Sequence, residues 1–261
     1  MIPQEMPALK VVIAGYAASF RYPHFVQGIH PTYEMPPPAT LYGLIVGVLG
    51  DYFPRDGLRF AYHFSYRAKF NDYEHLHFPP SEIKKPEERA LLKQIDRAFG
   101  VADMPPAINP FVRELLFEPR LTLYLDRTEL DGVDLVGAFR QPRYPVVLGR
   151  SQDLMTLGPP EVVALRQAER CYVTGTLLSL EDAAVIGGQF YAVTMPRYIS
   201  PARQPEWAQY AVLPESRRPP IFPDDALLSA GGALNWWVDP AEPHPWDPTL
   251  PRAVYWHSWS A

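Results

Sequence analysis

The chain has 261 residues, 47% of them hydrophobic, and a formal net charge of −5 at neutral pH. That length fits one large domain or two small ones, and the apolar share is ample for a core. Residues 1–150 carry 17 Lys and Arg against 17 Asp and Glu, and residues 151–261 carry 7 against 12, which excludes a uniformly basic nucleic-acid binder but not a local basic site.

Of 24 cations, 19 are arginine, and no lysine follows Lys93. A guanidinium is a planar fork suited to phosphates and base edges. The 31 prolines, about twice ordinary usage, are spread among strand and helix patterns, which implies a loop-rich folded chain. Cys171 is the one cysteine, so an intrachain disulfide and a cysteine zinc site are excluded, as fits a reducing cytoplasm. The opening MIPQEMPALK lacks the charged and apolar regions of a signal peptide, and the longest apolar run, residues 41–49, is too short to span a membrane. The expected location is cytoplasmic.

Residues 9–18 (LKVVIAGYAA) read as a central strand, because no alternation leaves a wet face. Residues 20–35 form a long aromatic and basic loop that carries Arg21, Tyr22, His24, His30 and Tyr33. Structureless loops of that length are usually functional or disordered, and the aromatic content argues for function. Pro38 starts a helix over residues 39–49, where Gly43 and Gly47 share a face and imply close packing on a sheet. A P-loop is rejected, since no Gly-Lys-Ser/Thr ending follows.

Residues 58–67 (LRFAYHFSYR) alternate, with Phe60, Tyr62, Phe64 and Tyr66 on one face and Arg59, His63 and Arg67 on the other. Residues 69–109 break the rhythm and read as an insertion. It contains a short helix from Pro86 to Gly100, with Leu91, Leu92, Ile95 and Phe99 on one stripe and Arg89, Lys93 and Arg97 on another. Residues 111–127 are strand-like with a bend at Pro119, 135–141 a short helix, 144–148 a strand fragment and 170–179 the next strand. The order to this point is β-α-β, insertion, β-α-β, the split βαβ or ferredoxin-like arrangement.

Residues 181–261 are Pro- and Trp-rich and acidic, with short strands expected at 189–198, 210–213, 234–238 and 253–259. The expected fold class is therefore α+β. A ferredoxin-like domain spans 1–180, with its insertion near 68–110, and a β-rich region spans 181–261.

His75 and His77 would share a strand face, but nothing nearby supplies further zinc ligands. A metal-free ribonuclease could use His24 or His30 with Tyr22 or Tyr33 and Lys69, since the ribose hydroxyl is the nucleophile. The favoured reading is that the same residues bind without cutting. Serine-elbow, HExxH and dinucleotide motifs are missing. Five of six tryptophans follow residue 235 and fit a compact core or an interface patch for a larger assembly better than base stacking. Two polar loops carry the strongest binding signal. The first holds Arg21, His24 and His30; the second, GAFRQPRYPVVLGRS, holds Arg140, Arg143 and Arg150.

The run ASFRYPHF followed by PPPATLYGLIVGVLG, and later FRQPRYPVVLGRSQDL, resembles the CRISPR-associated protein family five (Cas five) of the RAMP superfamily. The resemblance implies an RNA-binding protein with a ferredoxin-like (RRM-like) domain, a thumb-like insertion and a variable C-terminal part. It implies a subunit of a type I Cascade effector complex, closest in its Pro-rich character to type I-B, that caps the crRNA 5′ handle. Its partners would be the Cas seven backbone, the large subunit and, through the complex, target DNA, with no membrane and no cofactor or metal. The expected RNA contacts are Arg21, His24, His30, Arg67, Lys69, Arg140, Arg143 and Arg150, with no catalytic residue. The type I-C branch, whose members process crRNA with a Tyr-Lys-His set, implies the ribonuclease alternative; a protein-only scaffold is the third reading.

Overall fold

The computed structural model describes residues 5–25, 28–78, 107–186, 190–216, 218–222 and 236–260. Its architecture is mixed α/β, with many strands and few helices. β1 (Glu5–Gly15) leads through residues 19–35 to α1 (Pro38–Leu49) and then β2 (Phe60–Ser65). β3 (Ala68–Phe78), β4 (Ala107–Phe117) and β5 (Arg120–Leu125) follow, then α2 (Leu135–Arg140) and β6 (Glu161–Ala168). β7 (Tyr191–Ile199), β8 (Pro205–Leu213) and β9 (Trp236–Pro243) are the longer strands of the remainder.

β1 is central. Leu9 stands opposite Leu125 of β5 on one side and Val162 of β6 on the other, and β2 lies outside β5. The order β6-β1-β5-β2 is antiparallel throughout, and the sheet continues past β6 through β9 to short strands at Pro251–Ala253, Cys171–Tyr172 and Ile221–Phe222. Strands from the last part of the chain therefore complete the sheet that the first part begins.

Alternate residues of a strand face opposite ways. Leu9, Val11 and Ile13 of β1, Leu121, Leu123 and Leu125 of β5, and Phe60, Tyr62 and Phe64 of β2 share one buried core with Leu41 and Ile45 of α1 and Leu135 and Phe139 of α2. On the opposite face Ala8, Ala61, Tyr124 and Leu165 pack with Val254, Trp237 and Trp256. Both faces of β1 are thus covered, which is why its sequence runs apolar without alternating.

The structure corrects several expected elements. Residues 144–148 form no strand, only an isolated Val147–Leu154 bridge; β1 pairs instead with Met155–Leu157 and β6. Of β6 only Leu165 is buried outright, so its own pattern is weak and its pairing with β1 holds it in place. The strand expected over 170–179 breaks at Gly175, whose φ of +56° and carbonyl bond to the Phe64 N–H (2.7 Å) turn the chain. Part of the expected insertion is regular: β3 and β4 form a hairpin in register from Ala68–Phe117 to Phe78–Ala107. The helix of residues 86–100, with its stripes Leu91, Leu92, Ile95, Phe99 and Arg89, Lys93, Arg97, lies outside the described residues.

Gly43 and Gly47 do not pack on the sheet; a Cβ on either would meet nothing within 4 Å. The end of α1 instead receives the second polar loop, whose Arg143 and Tyr144 N–H groups donate to the Val48 and Gly47 carbonyls at 2.9 and 3.2 Å. Trp259 is fully buried and its Nε1 donates to the Pro38 carbonyl (2.8 Å), which fastens the end of the chain beneath the start of α1. Among the described residues no helix is long and apolar enough to cross a membrane.

Candidate nucleic-acid interface

The first polar loop is pinned at its neck. The Tyr33 N–H donates to the Phe20 carbonyl (2.9 Å), Arg21 and Thr32 form a bridge, and the Phe20 N–H donates to Thr32 Oγ1 (2.8 Å). Farther out, Ile29–His30 pairs in parallel with Val112–Arg113 of β4. The loop therefore leans on the β3–β4 hairpin.

The second loop reaches the first at Gly149. Its φ is +105°, and a Cβ there would lie 2.6 Å from the Ser19 carbonyl oxygen, so only glycine permits this approach. Asp153, 4% exposed, locks the junction. It accepts from the Ser19 and Arg150 backbone N–H groups at 3.2 and 3.0 Å, and from the Arg150 guanidinium at 2.7 Å. Arg150 turns its other side to Glu74 (2.6 Å), and Glu74 also takes a bond from Arg113 Nε (3.0 Å).

A third wall comes from the β7–β8 hairpin. Arg203, at its tip, is held with a φ of +63° and donates its N–H to the Ser200 carbonyl (2.8 Å). Between the three walls lies a cleft of about 500 Å³. Arg21, Arg113, Arg150 and Arg203 line it, with Trp207 and with Pro37 and Thr40 at the start of α1. Four guanidiniums stand there against the carboxylates of Glu74 and Asp153, which bond Arg113 and Arg150, and of Asp72, which also acts on Arg150, so the cations outnumber these carboxylates. The N-terminal end of α1 adds the favourable end of its dipole for an anion.

The expected contacts divide. Arg21 and Arg150 converge on the cleft, and His24 stands at its mouth, its ring stacked on Trp207 at 5.7 Å. His30 is 3% exposed and stacks on Phe111 (4.4 Å), over which the Arg113 guanidinium lies (4.9 Å), so it backs the wall. Arg67 and Lys69 sit apart at the base of the hairpin, Arg67 beside Glu118 (3.3 Å) and Lys69 beside Glu34 (2.8 Å). Arg140 borders a second, largely apolar groove of about 370 Å³ with Phe139, Val146 and Met155, and Arg143 packs on Gly50.

Of the tyrosines weighed for general acid–base work, Tyr33 is buried, donates to the Thr194 carbonyl (3.0 Å), and has its pKa pushed up to about 12 by burial. Tyr22 stacks on Tyr33 at 3.7 Å, and its pKa too is raised, by burial and then by Glu34. Burial also pushes the Cys171 thiol up to about 12, so it stays a protonated core side chain.

Sequence reasoning missed Arg113, Arg203 and Trp207. Arg113 lies inside an apolar strand, and Arg203 and Trp207 follow the turn-forming Ser200-Pro201, between the strands expected at 189–198 and 210–213, where nothing local marks them as binding residues.

No family model matches the sequence, and no curated protein matches it. Several solved structures are similar to the chain. One is a chain of a CRISPR RNA-guided surveillance complex, at 14% identity and a TM-score of 0.47, covering 83% of this chain and 91% of that one. A CRISPR protein from Archaeoglobus fulgidus matches at 12% identity and 0.41, covering 82% and 90%, and a Cas protein at 13% and 0.34, covering 80% and 98%. These similar structures are CRISPR-associated proteins.

Proposed function

We propose that the chain is a guide-RNA-binding subunit of a type I CRISPR effector complex, of the Cas five family, and that it holds the crRNA 5′ handle in the arginine cleft. The order β6-β1-β5-β2, with α1 after β1 and α2 after β5, supports a ferredoxin-like sheet into which the β3–β4 hairpin is inserted as the thumb. The two motif segments that carry the resemblance are also the segments Asp153 and Gly149 bring together.

The observation that carries the reading is the convergence of Arg21 and Arg150, from loops far apart in sequence, with Arg113 and Arg203 on one open cleft. Guanidiniums suit phosphates, and open walls suit splayed single-stranded bases. In the assembled complex the Cas seven backbone and the large subunit would flank this subunit, and pairing by the guide would read target DNA.

The test is binding of a single-stranded oligoribonucleotide as a function of salt. The slope of log K against log salt should fall by about 1.4 when Arg21→Ala and Arg203→Ala are combined, at roughly 0.7 for each phosphate no longer neutralised. An unchanged slope would remove the cleft from the RNA path. Ribonuclease treatment of the assembled complex, followed by native mass spectrometry, separates this reading from a protein-only scaffold, which would stay assembled.

A further inference from the structure

Trp207 and His24 face each other across the mouth of the cleft from different walls. Their rings are 5.7 Å apart between centroids and only 23° from parallel. Trp207 remains 38% exposed and His24 is exposed. Arg21 and Arg203, both cleft residues, lie three residues before His24 and four before Trp207. Two near-parallel aromatic planes beside guanidiniums form the combination that single-stranded nucleic acid engages, planes for the base and cations for its phosphate.

The spacing is informative. A base inserted between two rings needs about twice the ordinary aromatic stacking distance, more than 5.7 Å, so the pair does not stand open for a base. His24 lies in a turn outside any strand and is exposed, so it is the partner that can yield. Trp207 is fixed within β8, where it pairs with Pro196 of β7.

We propose that Trp207 is a nucleobase-stacking residue: one unpaired base of the bound RNA leaves its neighbours, displaces or wedges aside the His24 ring, and stacks on the Trp207 indole, while its flanking phosphates lie between Arg21 and Arg203. This rests on the RNA-binding reading of the cleft and adds to it a single position at which the protein feels a base rather than the backbone. Stacking is indifferent to hydrogen-bonding pattern, so the slot favours a large flat base, a purine over a pyrimidine, without reading an individual letter.

Three octamers test this on the whole protein: oligoadenylate, oligouridylate, and an abasic backbone of the same length and charge. The wild type should bind oligoadenylate about tenfold more tightly than the abasic octamer. Trp207→Ala should erase most of that difference while leaving abasic binding and its salt slope unchanged. Trp207→Phe, which keeps a ring on the same strand, should restore most of it. An undiminished adenine preference in Trp207→Ala overturns the slot and leaves the cleft standing. If even the wild type binds no octamer with salt-dependent affinity, the cleft reading fails, and the slot fails with it.

Discussion

Asp153 Oδ2 accepts a hydrogen bond from the Ser19 backbone N–H at 3.2 Å, joining segments 134 residues apart. The same carboxylate holds the Arg150 guanidinium, so one buried charge sets both the gap between the loops and the aim of an arginine into the cleft. Asp153→Ala should lower stability by roughly 3 kcal/mol, because it leaves the Ser19 and Arg150 backbone donors without their acceptor and takes from the Arg150 guanidinium one of its two carboxylates. Gly149→Ala should act at the same junction through the Ser19 carbonyl. Urea unfolding at constant m-value checks both. An Asp153→Ala protein as stable as the wild type would show that the junction holds without it.

Glu74 lies between Arg113 Nε and Arg150 Nη1, at 3.0 and 2.6 Å, where a phosphate would be expected to sit. Its carboxylate competes with any bound anion. Glu74→Gln should therefore bind an oligoribonucleotide roughly fivefold more tightly at low salt, with the gain fading as salt rises. Weaker binding would mean that Glu74 serves to hold the two arginines in place.

What could be read from sequence depended on where each element gets its stability. β1, α1, β2 and β5 carry their own apolar pattern and were legible. β6 and β3 were not, since β6 buries only Leu165 and the run NDYEHLHF has no apolar face; β1 and β4 hold them. The site followed the same division. Arg21 and Arg150 stand in loops whose composition marks them, whereas Arg113, Arg203 and Trp207 join the cleft only through tertiary folding. His30 shows the converse, a polar loop residue that folding turns inward against Phe111.

His257 gives the fold an acid limit. It is 8% exposed, its ring stacks on Phe60 (5.3 Å), and its Nε2–H donates to the Leu177 carbonyl (3.1 Å). Burial pushes its pKa down to about 4. The unfolded chain takes up this proton near pH 6.5 and the native state does not, so the contribution is complete above about 6.5 and is lost as pH falls toward 4. The loss amounts to about 3 kcal/mol at one pKa unit per 1.36 kcal/mol. His63, pushed down to about 3 by burial and then by Arg252 and Arg120, acts in the same direction, from about pH 6.5 down to about 3. Carboxylates titrate in this window too, so the decisive measurement is a difference. His257→Gln should be less stable at pH 7 but lose stability less steeply between pH 6.5 and 4. Parallel pH curves for the two proteins would count against this assignment.

The last prediction concerns how the final strands are fastened to the first. Lys10 of β1 is 8% exposed, and its ammonium donates to Asp239 (2.7 Å) and Glu242 (2.6 Å) of β9. Tyr124 of β5 donates to Asp239 (2.8 Å) and receives a bond from Arg252 (2.9 Å). Burial opposes the Asp239 charge, but the bonds from Lys10 and Tyr124 outweigh it and hold the pKa below the usual carboxylate range. Removing one member strands the others in a dry interior, so Lys10→Met should cost about 3–5 kcal/mol. Asp239→Leu alone should be similarly costly, for the same reason. The double variant should cost clearly less than the sum, because the second substitution removes the charge that the first left unpaired. Strict additivity would show that Lys10 and Asp239 are stabilised by other partners. Hydrogen exchange supplies an independent readout: in Lys10→Met the amides of β9 and Pro251–Ala253 should lose protection before those of β1 and β5, since the network ties these late strands to the central pair.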